Sequence, residues 1–105
     1  MLKQIETGQF EQEVLSSPVP VLAYFSAPWC GPCKMTQPIV EEVSAAYEDK
    51  AGFVKINVDD APDIAADYMV MSIPTLIVFK DGSPVNTKTG VSSKSDIVDM
   101  ITPYL

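Results

Sequence analysis

Two cysteines, Cys30 and Cys33, are the residues of this 105-residue chain whose type and spacing point most directly to covalent chemistry. They lie within Ala27-Pro28-Trp29-Cys30-Gly31-Pro32-Cys33-Lys34. A thiolate that attacks a disulfide forms a mixed disulfide, and releasing it requires a second thiol held beside the new linkage. The two-residue spacing supplies that second thiol. Gly31 lets another backbone approach without a side chain in the way, Pro32 fixes φ in a first helical turn where no N–H is needed, and Trp29 offers a flat apolar surface beside the sulfur. A disulfide across so short a loop constrains the unfolded chain weakly, so stapling the fold is not its evident purpose. Structural zinc needs four Cys or His ligands; two cysteines without a histidine make half a site, and no metal is expected.

Composition narrows the chemistry further. Histidine is absent, which removes Ser-His-Asp and Cys-His nucleophile pairs and imidazole acid–base work. Fourteen acidic residues against seven lysines give a formal net charge of -7, so nucleic acid and anionic membrane surfaces are expected to repel the chain. Hydrophobic residues at 47% and charged ones at 20% suit a packed globule with one core, read here as a single domain over residues 1–105. No stretch approaches the roughly 18 apolar residues that cross a bilayer, and Met1 to Thr7 lacks the apolar core of a secretory signal, so a cytoplasmic location is the expectation.

The elements that must position the cysteines follow from periodicity. Leu2 to Glu6 reads as a first strand, followed by a helix capped at Thr7 and running through Ser16. Val19 to Ser26 is almost wholly apolar, the pattern of a central strand covered on both faces. From about Cys33 to Glu48, Met35, Ile39, Val43 and Tyr47 recur every four residues as the buried stripe of an amphipathic helix, with Pro38 predicting a kink. Phe53 to Val58 is a second buried strand, so strand, helix and strand form a βαβ unit with the cysteine pair at its turn. A C-x-x-C pair in that place reads as a redox motif. Backbone N–H groups and the macrodipole at the helix start stabilise a thiolate, which predicts Cys30 as the exposed, attacking sulfur. Beyond lie a short helix from Asp60, a stop at Ile73-Pro74, a strand Thr75 to Lys80, an Asp81-Gly82 hairpin, an edge strand near Val85 to Thr89, a bend at Gly90, and a last helix capped by Ser93 with Asp96. The order β, α, β, α, β, α, β, β, α predicts a mixed α/β sheet with helices on both faces.

With these residues in place the sequence resembles the thioredoxin family. Trp29-Cys30-Gly31-Pro32-Cys33-Lys34 matches the family's active-site motif, Pro38 its helix proline, Ile73-Pro74-Thr75 its cis-proline loop, and Phe79-Lys80-Asp81-Gly82 and Gly90 its later landmarks, over nearly the whole chain. The resemblance implies the thioredoxin fold, a central five-stranded mixed sheet flanked by four helices. It also implies reduction of protein disulfides with electrons from a thioredoxin reductase, with Cys30 as nucleophile, Cys33 as resolving thiol and no cofactor beyond that pair. Disulfide-containing client proteins would be the other partners, and a monomer is expected. Trp29, Gly31, Pro32, Ile73, Pro74 and Gly90 would support the site and border the groove for an extended substrate segment, held partly by backbone hydrogen bonds.

The main departure from the family is Tyr24. Thioredoxins usually place a buried aspartate there, six residues before the first cysteine, to help move the resolving thiol's proton, with a lysine at the position of Lys55. A phenol with pKa about 10 is ionised to roughly one part in a thousand at pH 7, a poor substitute for a carboxylate. Cys33 is therefore expected to lose its proton more slowly, or through water. Lys55 without its partner has three options: solvent, the Tyr24 oxygen or another acid. Ser26 stands where the family often carries an extra aromatic residue, which leaves Trp29 the sole indole. Two other readings compete: a disulfide oxidase or isomerase built on a related motif, and a redox-inactive binding module in which the cysteines are incidental.

Overall fold

In a computed structural model describing residues 1–105, the apolar run Val21–Ser26 forms the central strand of a five-stranded sheet, and every one of its side chains is buried. The elements are β1 (Leu2–Ile5), a helical segment from Thr7 to Leu15, β2 (Val21–Ser26), α1 (Gly31–Tyr47), β3 (Gly52–Asn57), α2 (Pro62–Asp67), β4 (Thr75–Lys80), β5 (Ser83–Thr89) and α3 (Lys94–Ile101), with a closing turn of 3-10 helix at Thr102–Tyr104. The sheet order is β1-β3-β2-β4-β5. β3 runs parallel to both β1 and β2, whereas β4 runs antiparallel to β2 and to β5, so the sheet is mixed. This is the mixed sheet that the element order predicts and the thioredoxin fold that the resemblance implies, with four helical segments around the sheet.

Alternation along the strands sorts the core into two layers. Leu22, Tyr24, Phe53, Leu76 and Val78 face Val40 and Val43 of α1 and Ile97 and Ile101 of α3. Val21, Ala23, Phe25, Val54, Ile56, Ile77 and Phe79 face the opposite way, against Phe10 and Val14 of the first helical segment and Ile64 of α2. In that second layer Phe10, Tyr68 and Phe79 meet edge-on or tilted, with centroids 5.0 to 5.7 Å apart, contacts worth about 0.5–1.5 kcal/mol each beyond their buried area.

Several local expectations shift. The first helical segment is not an α-helix capped at Thr7: a 3-10 turn at Thr7–Gln9 leads into a π-helical stretch at Glu11–Leu15, and Gln9 Oε1 accepts the Glu6 N–H at 2.9 Å. The long helix starts at Gly31, two residues before Cys33, because Cys30 caps it and Pro32 fits its first turn. It continues for 17 residues through Pro38. Its buried face is Cys33, Thr36, Val40, Val43 and Ser44, with Ile39 and Tyr47 partly buried against the core, while Met35, expected in that stripe, is 65% exposed. The hairpin holds: Asp81 and Gly82 both take positive φ, as a two-residue loop of type I′ requires, and β5 begins at Ser83 as an edge strand.

Candidate active site

The βαβ turn places the cysteine pair at the end of the central strand. β2 ends at Ser26, the chain turns through Ala27, Pro28 and Trp29, and Cys30 becomes the N-cap of α1. The Cys30 N–H donates to the Ala27 carbonyl at 3.1 Å, which fixes that turn. The Cys33 N–H, one of the orphan donors of the first helical turn, donates to Cys30 Sγ at 3.2 Å. The two residues are joined as a disulfide, with Cα atoms 5.3 Å apart. Any negative charge on Cys30 sulfur therefore sits at the positive end of the α1 dipole with a backbone donor aimed at it, and both effects favour a thiolate.

One expectation about this pair needs correcting. Cys30 is only 4% exposed, hardly more than Cys33 at 3%, and its sulfur lies against the first turn of α1, joined to Cys33 and accepting the Cys33 N–H. Exposure does not distinguish the two sulfurs; the capping position does.

Trp29, by contrast, stands 68% exposed, and its indole Nε1–H donates to the Asp59 carboxylate at 2.8 Å. Asp59 comes from the turn after β3. It is anchored in turn because its own N–H donates to Asn57 Oδ1 at 2.9 Å. Trp29 and Ile73 border an apolar hollow of about 330 Å³ with Val58, Val70, Met71 and Ser72. The methionines divide: Met100 is core, while Met35, Met69 and Met71 are largely exposed, and of these Met71 lines the hollow. Val58, Val70 and Ser72 escaped the sequence reading as groove residues, although apolar residues flanking an X-Pro loop were a usable signal.

Ile73–Pro74 is a cis peptide bond, as the resemblance implies. Pro74 itself is buried behind the rim, and its carbonyl accepts the Gly90 N–H at 2.8 Å, tying the loop to the end of β5. Gly90 has φ +94°, a conformation that side-chain-bearing residues rarely adopt. Gly31 and Pro32 are exposed on the first turn of α1, and a Cβ added at Gly31 would meet nothing within 4 Å. Gly31, Pro32, Pro74 and Gly90 do not line the hollow.

Tyr24 lies below the pair, fully buried, and its hydroxyl donates to the Cys33 carbonyl at 2.9 Å. Burial pushes the phenol above its ordinary value; the Ser26 hydroxyl, two residues along the same strand face, opposes that, and the Glu41 charge adds to it. A protonated phenol with its hydrogen engaged is a prop for α1, not a base. Lys55 is the in-register neighbour of Tyr24 on β3, yet it bonds neither the Tyr24 oxygen nor any acid. It is half-buried and lines a second, polar chamber together with Cys33.

The thioredoxin family matches residues 1–103, which take in the whole sheet and α1 through α3. The chain belongs to that family. A thioredoxin of Pyropia yezoensis is 45% identical over 104 residues, covering 99% of this chain and 97% of that protein. Thioredoxin 1 of Synechococcus elongatus is 46% identical over 101 residues, covering 96% and 94%. The chloroplastic M-type thioredoxin of Chlamydomonas reinhardtii is also 46% identical, with 96% of this chain and 72% of that protein covered. Family and cysteine pair together make this chain a thiol–disulfide oxidoreductase that reduces protein disulfides.

Proposed function

We propose that Cys30 is the nucleophile and Cys33 the resolving thiol of this reduction, and that a thioredoxin reductase restores the dithiol. The observation that carries the assignment is the capping geometry, in which only Cys30 sulfur receives a backbone N–H at the start of α1. Cys30 thiolate attacks one sulfur of a client disulfide, forming the Cys30–client bond and expelling the other client sulfur as a thiolate. Cys33 then loses its proton and attacks Cys30 sulfur. The Cys30–Cys33 disulfide forms, the second client thiolate departs and takes a proton from solvent, and two electrons have passed to the client. No bound cofactor enters this cycle, since the cysteine pair carries both electrons.

An extended client segment lies along the hollow between Trp29 and the Ile73–Pro74 loop, flanked by Gly31, Pro32 and Gly90. Open space at Gly31 and the apolar lining support this placement. The protein works as a monomer in the cytoplasm, a reading supported by the need of dithiol chemistry for a reducing compartment.

The test is trapping. Cys33→Ser should accumulate a mixed disulfide with a client, visible as a mass adduct on Cys30, whereas Cys30→Ser should accumulate none. An adduct on Cys33 in the Cys30→Ser protein, at the rate seen in the converse variant, reverses the assignment. Turnover with an NADPH flavoprotein reductase or a ferredoxin-linked one identifies the donor, and turnover with neither refutes the reductase partnership. Gel filtration and cell fractionation decide oligomeric state and compartment.

A further inference from the structure

The polar chamber beside Cys33 is built by register. Gln4 on β1, Lys55 and Asn57 on β3, and Ser26 on β2 all fall on the sheet face that α1 covers: Gln4 pairs with Lys55 and Ser26 with Asn57. From the other side come Cys33, Lys34 and Gln37 of α1, with Ala27 and Pro28 closing one end. The space is about 120 Å³, and a single water needs only about 10–15 Å³ on the same scale. It leads from buried Cys33 and Ser26 to exposed Gln4, Pro28 and Lys34, so it has an inner end at the resolving cysteine and an outer end at solvent.

Ser26 is the unusual wall residue. It is 2% exposed, and its Oγ meets no partner at full hydrogen-bond geometry within the protein, although it lies near enough to the Tyr24 hydroxyl to oppose the rise in that phenol's pKa. A buried hydroxyl left unpaired costs about 1–3 kcal/mol, so such groups normally find a protein partner or an ordered water. Ser26 lines a space large enough for several waters. The titratable groups around that space are Cys33, Lys34 and Lys55, with Tyr24 on the same strand face; no carboxylate lines it. The proton of Cys33 therefore has no carboxylate to receive it, and Tyr24 has already committed its own hydrogen to the Cys33 carbonyl.

We propose that Ser26 is a positioning residue for the resolving step, its hydroxyl ordering waters in this chamber that carry the Cys33 proton to solvent. This rests on Cys33 being the resolving thiol. As the Cys33 S–H bond breaks, its proton passes to a chamber water hydrogen-bonded to Ser26 Oγ. Cys33 sulfur then bonds to Cys30 sulfur, and the departing client thiolate recovers a proton from bulk water. The hydroxyl serves because it both donates and accepts, so it can hold a water in place whichever way that water's hydrogens point. The ammonium groups of Lys34 and Lys55 favour negative charge developing at the inner end.

The experiment mixes the fully reduced protein with excess aromatic disulfide whose thiolate is coloured and follows release in a stopped flow. The first phase reports attack by Cys30, the second resolution by Cys33. Ser26→Thr keeps a hydroxyl, and Ser26→Val has nearly the same volume without one. The expected result is a second phase slowed by about tenfold in Ser26→Val and in Ser26→Ala, the scale of one lost hydrogen bond to the moving proton, and largely preserved in Ser26→Thr. The solvent deuterium isotope effect on that phase should differ between the Thr and Val proteins. Equal second-phase rates and equal isotope effects in Thr and Val would overturn the proposal, because the matched volumes remove packing as an explanation. A second phase that survives Cys33→Ser would instead overturn the assignment of the resolving thiol on which the proposal rests.

Discussion

At the scale of single residues, Tyr24 shows how one substitution reorganises a site. Its phenol fills core that a carboxylate could not fill, and its hydroxyl secures the Cys33 carbonyl. In the oxidised protein, Tyr24→Phe should cost about 0.5–1.5 kcal/mol at neutral pH, the net worth of one buried hydrogen bond, as read by denaturant unfolding. The same variant should also resist alkali better. Because the folded phenol's pKa is raised above its unfolded value, its contribution is complete below about pH 10 and is lost as pH rises through the folded value. Removing the phenol removes that loss, and the unfolding midpoint should fall less steeply above about pH 10 than in the parent, with Tyr68, shifted the same way by burial, accounting for part of the remainder. The cysteine pair and Trp29 were legible in the sequence because their meaning is local. Asp59 was not, since it lies thirty residues from Trp29 and only the turn after β3 brings them together.

Elements carry the next layer. α3 begins with a reciprocal box in which the Asp96 N–H donates to Ser93 Oγ at 3.1 Å and the Ser93 N–H donates to the Asp96 carboxylate at 3.2 Å. Ser93→Ala should destabilise the protein by about 1 kcal/mol in thermal or denaturant melts. The Ser93 N–H, with the Ser93 hydroxyl adding to it, holds the Asp96 carboxyl below its usual value, so its stabilising effect is present above its unfolded pKa and lost as pH falls through the folded one. Asp96→Asn should accordingly flatten the acid limb of the stability profile. The Asp81-Gly82 hairpin gives a sharper test. Gly82 has φ +81°, and a Cβ there would approach the Leu15 carbonyl oxygen to 3.2 Å, so Gly82→Ala should cost more than about 1 kcal/mol. A neutral result in urea titration would contradict the packing of this hairpin against the first helical segment.

Periodicity recovered all five strands and α1 through α3, because strand alternation and helix caps are written in neighbouring residues. It misplaced the buried stripe of α1, where Met35 was read as core. A repeat of exactly four residues drifts around a helix of 3.6 residues per turn, so Val43 is core and Ile39 and Tyr47 pack partly buried against it, while Met35 at the start of the repeat swings out to solvent and Thr36 and Val40 complete the buried face. It also missed the 3-10 and π character of the first helical segment. Phe10 and Val14 are its buried residues against the second core layer, and that packing overrides the cap suggested by Thr7.

For the whole molecule, the net charge of -7 acts at distances beyond any single contact. Association with a basic client should be faster than with an acidic one of equal disulfide reactivity, and the gap in kcat/KM should narrow as salt shortens the Debye length from about 10 Å at 0.1 M to about 3 Å at 1 M. Equal rates at low salt would show that the groove alone selects clients.

The redox loop leaves the sheet from its middle strand. β2 is flanked on both sides, by β3 and β4, whereas β1 and β5 each have one strand neighbour. Amide protons of Leu22 to Phe25 should therefore exchange with deuterium only through global opening, and those of the two edge strands by local fraying. The cysteines are moored at the last place in the fold to come apart, so thermal fluctuations that loosen the periphery leave the chemistry in register.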